Sequence, residues 1–523
     1  MDGEAPPFND SHRWHSDLPW TDTAAVPTIF NMVFANLVFD ARLTHPDRLV
    51  LQQLSEDITK SEQWVAGKSA PSGESHQLAG PKQAPTTGTG APPPPPPLPP
   101  PPPASASASA SASATLPSKA PSLSQCRPPP STEQPGGSGV DEEGTAAELA
   151  ALNNPLDERF EPTVFTSYDL DEAFEAAPAF LHGPLKRYIS WARGVARVET
   201  DVVFVTHLLI YFGTTLPSAA MLFTRFGYLH AVLHMLMQAT YIGPYTLLKH
   251  QHIHQNGVLN RRFSLLDSLF PYVMDPLMGH SWNSYFYHHV KHHHVEGNGP
   301  NDLSSTIRYQ RDSLVNFLHY LGRFYFFVWL DLPRYFWRSR RPVLAAKSCF
   351  WELGTYAAIY AAWRFNHAAA VVVLITPLSL LRIALMVGNW GQHAFVDENE
   401  PDSDFRSSIT LIDVPSNRFC FNDGYHTSHH LNPLRHWREH PLAFLKARDE
   451  YARQGALVFH DIDYIGITVR LLCKDYDHLA RRLVPIGREQ MALTLEGRAA
   501  MLKTHTRAFT SDEITQKYSK KSS

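Results

Sequence analysis

Tyr287-His288-His289-Val290-Lys291-His292-His293-His294 is the stretch on which the reading of this chain turns. It sets five imidazoles within seven residues, a density that no packing requirement explains. Of the 28 histidines in the 523-residue chain, seventeen lie between His250 and His440, about a third of its length. Neutral imidazole ligates iron, zinc and copper, so the concentration predicts a polynuclear metal site.

Working outward, the run contains His289-Val-Lys-His292-His293, an HxxHH, and a second HxxHH follows at His426-Thr-Ser-His429-His430. His288 and His294 permit an HxxxHH register as well, and both registers stay open. Upstream, in His250-Gln-His-Ile-His254, His250 and His254 share a helix face while His252 points away. Asn389-Trp-Gly-Gln-His393 puts an amide and an imidazole on one face. These boxes carry nine imidazoles, too many for one ion, and two metals are the economical account. The ExxH repeat of soluble di-iron bundles is absent.

Apolar segments arrange these boxes about a membrane. Val202 to Phe223 is 22 residues without a charge, and Gly227 to Leu248 is a second candidate span. Basic residues at 186 to 197 and at Lys249, Arg261 and Arg262 mark the cytosolic side, so the two form a hairpin turning in the lumen. Val343 to Trp363 and Ala368 to Val387 form another. Leu314 to Leu332 is also apolar, but Asp312, Asn316, His319 and Arg323 make one polar stripe along it, which predicts an amphipathic helix at the interface. The expected fold is therefore all-α and integral to the membrane. Four spanning helices in two hairpins, with both termini cytosolic, is the consistent count.

His230 and His234 also form an HxxxH. They lie roughly 24 to 30 Å along the helix from His250, which predicts polar contacts within the bundle. Arg382, Met386, Asn389 and His393 continue a single stripe, so Arg382 is a charge at membrane depth, a functional hint or a snorkelling side chain.

The remaining sequence frames this domain. A net charge of -4 and pI near 6.7 give no footprint for nucleic acid. Four scattered cysteines without a CxxC indicate neither a disulfide framework nor a zinc ribbon. Residues 1–68 form a cytosolic segment without a secretory signal, in which Thr28 to Phe39 reads as a short interfacial or docking helix. Residues 69–144, with prolines 92 to 103 broken only by Leu98 and an Ala/Ser alternation after them, read as a disordered linker. Residues 145–200 lead into the membrane domain at 201–445, and 446–523 supply cytosolic helices and a tail. Leu442 to Leu457 and Tyr464 to Leu483 read as helices. Lys520 and Lys521 stand where a dilysine endoplasmic-reticulum retrieval signal would.

Through HxxxH, HxxHH, NxxxH and Asn422-Asp-Gly-Tyr-His-Thr-Ser-His-His-Leu-Asn-Pro433, in order and over residues 200 to 445, the sequence resembles the membrane fatty acid desaturase and hydroxylase superfamily. The resemblance implies His250, His254, His289, His292, His293, His393, His426, His429 and His430 as ligands of two iron ions, with Asn389 reaching a metal through water. It implies that the four helices stand under a cytosolic helical cap holding this histidine-rich dimetal site, and no catalytic side chain beyond these ligands. It implies an oxygen-dependent oxidoreductase that introduces a double bond into a lipid or fatty acyl chain. Hydroxylation, epoxidation or alkyne formation is the related alternative, and a histidine-rich metal-binding membrane protein without catalysis is the alternative of a different class. No His-Pro-Gly-Gly heme motif occurs, so electrons would come from a separate donor such as cytochrome b5 or a ferredoxin. Trp282, Tyr285, Phe286 and Trp390 are candidate walls of a substrate channel. His436-Trp-Arg-Glu-His440 has the HxxEH form of an inverted zinc protease motif, although Pro441 disfavours the helix it needs.

Overall fold

The computed structural model describes residues 43–69 and 139–518. The expected helix at 28–39, most of the low-complexity linker and the lysines at 520 and 521 lie outside the described residues. The chain divides into two compact units, Met1–Gln63 with Gly139–Ser523, and Trp64–Ser138. Of the second unit, only residues 64–69, the end of the His45–Ser69 helix, are described. The first unit carries the site.

Its long helices coincide with the apolar segments. Val202–Thr224 packs against Tyr228–Gln255, and Pro342–Phe365 leads through Asn366 into a helical stretch over His367–Gln392. The turn at Asn366 is built from its own side chain. Its carbonyl accepts from Ala369 N–H (3.1 Å), and its amide donates to the carbonyl of Phe223 (3.1 Å) at the end of the first long helix. Among the described residues, Val202–Thr224 and His367–Gln392 are long and apolar enough to cross a membrane. Tyr228–Gln255 and Pro342–Phe365 have the length, at 28 and 24 residues, but His230, His234 and Gln238 in one and Lys347 and Glu352 in the other dilute their apolar character. Leu229, Leu233, Leu236, Phe350, Tyr360 and Leu380 nevertheless point outward, a belt of apolar side chains that water would not favour.

The Leu314–Arg338 helix is not among the two apolar spans. Its polar residues find protein partners: Asp312, just ahead of the helix, accepts from the Tyr476 hydroxyl (2.8 Å), and Arg323 meets Asp331 further along the same helix (3.2 Å).

The cap is not wholly helical. Ile409–Ile412 (β1), Leu457–His460 (β2) and Leu483–Val484 (β3) form a sheet in the order β1-β2-β3, with β1 parallel and β3 antiparallel to β2. All three strands are buried along their whole length, Thr410 and His460 included, so no alternation of buried and exposed positions separates strand from helix. The expected helix over 442–457 is accordingly two short helices, His440–Lys446 and Arg448–Gln454, ended by Gly455 at φ +66°. The one expected over 464–483 breaks at Lys474, φ +59°, into Tyr464–Leu472 and Tyr476–Arg482.

Two buried arginines tie the cap together. Arg311 donates to the carbonyls of Ala394 (3.1 Å), His505 (2.8 Å) and Arg507 (2.8 Å), stapling the C-terminal segment to the loop beyond His393. Arg418 donates to the carbonyl of Leu43 (2.7 Å) and to Asp169 (3.1 Å), while Leu43, Val50, Leu51 and Leu54 pack with Phe444, Tyr425 and Val458. The segment around His45 is thus part of the cap.

Candidate metal centre

The imidazoles sit where the long helices meet the cap. His250 and His254 are in the last two turns of Tyr228–Gln255, His393 follows directly on Thr376–Gln392, and His426, His429 and His430 lie on the short helix His426–Leu431. The histidine run itself forms a π-helix over Phe286–His293. A turn closed from i to i+5 brings residue i+5 back over residue i, and such turns gather at functional sites. Here it sets His294 against His289, Nε2 to Nε2 at 3.1 Å.

Two groups result. His250, His254, His289, His294 and His429 form one, and His293, His393, His426 and His430 form the other, with the candidate ligand atoms of each within 4.8 Å of one another. Within the first, His250 and His289 approach at 2.8 Å and His429 and His294 at 2.9 Å, Nε2 to Nε2. Within the second, Nε2 of His426 lies 3.3 Å from that of His393 and 3.1 Å from that of His430.

Hydrogen bonds on the far side of the rings set their tautomers. His393 Nδ1 donates to the carbonyl of Ser407 (2.6 Å) and His293 Nδ1 donates to Asp302 (2.7 Å), so each turns an unprotonated Nε2 inward. Asp302 is itself held by the N–H and hydroxyl of Ser304, both at 2.8 Å. Nε2 of His254 is buried without a hydrogen-bond partner among the described residues. Facing lone pairs at hydrogen-bond distance and an orphaned buried nitrogen are what a cation would satisfy, so the donor set fits metal. Burial, joined by repulsion between neighbouring imidazoles, holds His289, His294, His393, His426 and His429 well below the ordinary histidine range, which keeps them neutral and able to ligate.

Of the nine histidines expected as ligands, eight fall in these two groups. His292 does not. It forms a third group with His288 and Asp302, its Nε2 accepting the N–H of Leu303 (2.8 Å) and its Nδ1 buried without a hydrogen-bond partner among the described residues. His294, which the HxxHH spacing left out, belongs to the first group. Asn389 lies beside the groups, its amide donating to the Ser304 carbonyl (2.8 Å) and the Tyr320 hydroxyl (2.7 Å). Asp302 escaped sequence reading because nothing in its own neighbourhood marks it as an orienting carboxylate.

The other sequence motifs resolve into packing. His230 and His234 both meet Ser218 Oγ at 2.9 Å inside the bundle. His436 pairs with Asp201 (2.8 Å) and His440 with Ser428 (2.9 Å), so the HxxEH residues do not converge.

A cavity of about 570 Å³ opens onto both groups, through His250, His289, His293 and His426, and extends between the long helices. Of the four expected wall residues, Tyr285 lines it, whereas Trp282, Phe286 and Trp390 do not. Trp390 is sealed against Tyr309, Phe317 and Tyr320, its indole N–H on the Arg311 carbonyl (3.0 Å). Asp423, which also lines the cavity, is pushed up to about 7 by burial, partly opposed by its bond to Gln392 (3.2 Å).

Residues 226–461 match the family described as fatty acid desaturase. No curated protein and no solved structure matches the chain.

Proposed function

We propose, from the match of residues 226–461 to the fatty acid desaturase family, that the chain is a di-iron membrane desaturase introducing a double bond into the alkyl chain of a lipid. The observation that carries the reading is the pair of histidine groups bordering one elongated cavity. The proposed ligands are His250, His254, His289, His294 and His429 for one iron and His293, His393, His426 and His430 for the other. Asn389 acts nearby through water. Two irons held there would supply oxygen-dependent oxidation of an unactivated C–H bond.

The protein's part is positional. Asp302 and the Ser407 carbonyl orient His293 and His393, the apolar cavity wall excludes water, and the cavity's course decides which methylene is presented. The proposed topology has four spans, at 202–223, 227–248, 343–363 and 368–387, within a membrane domain at 201–445. Cytosolic segments at 1–68 and 145–200, a linker at 69–144 and a C-terminal region at 446–523 complete the chain. We further propose residence in the endoplasmic reticulum and electron supply by a separate donor such as cytochrome b5 or a ferredoxin.

Expression in a desaturase-poor host with lipid profiling tests this. A new unsaturated lipid that vanishes with His293→Ala and with His429→Ala is expected. A hydroxylated product would move the reading to the related hydroxylases, and a product persisting in both variants would refute the site.

A further inference from the structure

The cavity also carries a charged pair that belongs to neither histidine group. Arg382 donates to Glu352, to the hydroxyl of Tyr356 (2.8 Å) and to that of Ser281 (2.9 Å), while Glu352 also accepts from Ser284 and from Tyr356 (2.5 Å). Both charges belong to the long helices proposed to span the membrane. Arg382 stands seven residues before Asn389 and eleven before His393, which places it about 10 Å and about 16 Å from them along the helix.

Burying such a pair is costly, and replacing it by apolar residues often leaves a protein as stable or more so. A purely structural pair would be sealed between helices. This one is not, because Arg382, Glu352, Ser281 and Ser284 all line the cavity, among Val328, Leu332, Leu381 and Leu385. It also has capacity to spare. A guanidinium has five N–H donors, and Arg382 serves three partners among the described residues. Ser281 accepts from Arg382, which leaves its own proton free to donate.

We infer that Arg382 and Glu352, braced by Tyr356 and joined by the hydroxyls of Ser281 and Ser284, form a recognition subsite for a neutral hydrogen-bonding group, a hydroxyl or an amide, on the lipid that occupies the cavity. A carboxylate guest would be repelled by Glu352 and an ammonium by Arg382, whereas a group that both donates and accepts satisfies both. In an apolar channel, where chain sliding costs little, one such anchor fixes the register of the chain against the histidines. The inference rests on the proposed lipid-oxidising function for its meaning, but its test is binding and does not require turnover.

The full-length protein in detergent is titrated with labelled long-chain probes of equal length: an alcohol, a primary amide, an alkyl chloride, a carboxylic acid and an amine. The alcohol or the amide, or both, should bind about tenfold more tightly than the chloride, and whichever does identifies the source of the group. In Ser281→Ala/Ser284→Ala, which leaves the ion pair intact, that margin should fall to about threefold or less, with metal content retained as the check on folding. An equal affinity of all uncharged probes, a preference for the acid or the amine, or a margin unchanged in the double variant would each overturn the subsite. A preserved margin in wild type with no lipid oxidised in the host would leave the subsite standing and remove the desaturase reading.

Discussion

His289 and His294 face one another across a π-turn, Nε2 to Nε2 at 3.1 Å, while His292 turns away and accepts the N–H of Leu303 at 2.8 Å. His294→Ala should therefore lower bound iron from about two to about one per chain, and His292→Ala should leave it near two. Removing His292 orphans a buried N–H instead, at a cost of about 1–3 kcal/mol in stability. Elemental analysis beside thermal unfolding separates the two effects, and the reverse pattern would restore the HxxHH register.

The Asp302 carboxylate orients His293 through a 2.7 Å bond. Asp302→Asn should weaken metal binding about 10- to 100-fold, because the amide can present its NH₂ to Nδ1 and favour the wrong tautomer. Competition with a chelator measures this. Unchanged retention would remove Asp302 from the centre.

Acid should release the metal and loosen the cap together. The folded values of His289, His294, His393, His426 and His429 lie well below their ordinary 6.5, so the unfolded chain binds more protons than the native one as pH falls. Their contribution to stability is complete above about 6.5 and declines below it. Metal content and unfolding temperature followed from about pH 8 to about pH 5 should fall together, and a flat profile would contradict the assignment.

Arg418 holds the segment around Leu43 to the cap through one carbonyl and the Asp169 carboxylate. Arg418→Met should cost about 2–4 kcal/mol and expose the His45–Ser69 helix to protease before the rest of the cap and the long helices are cut. Limited proteolysis with mass spectrometry reports the order of cleavage. If both regions are cut together, the segment is not a separately releasable piece of the cap.

Much of this molecule is legible from local chemistry. The long helices follow from runs of apolar residues, and eight of the nine expected histidines gather because their boxes sit at the ends of those helices or on the cap facing them. Arg382 was readable too, as a charge in an apolar segment, whereas its partner Glu352 shares its segment with Lys347 and nothing in the spacing marks it. The sheet in the cap was not, because its strands are buried on both faces and lose the alternation that marks a strand.

The sequence by itself determined the type of chemistry, since a density of imidazoles this high serves little but metal, and it determined where along the chain the ligands lie. Which of five adjacent histidines turn inward was decided by tertiary structure alone. The spacing of residues 288 to 294 is compatible with either register. The choice comes from the wide turn of the π-helix and from the Leu303 N–H and the Asp302 carboxylate, which reach His292 and His293 only when the following loop folds back.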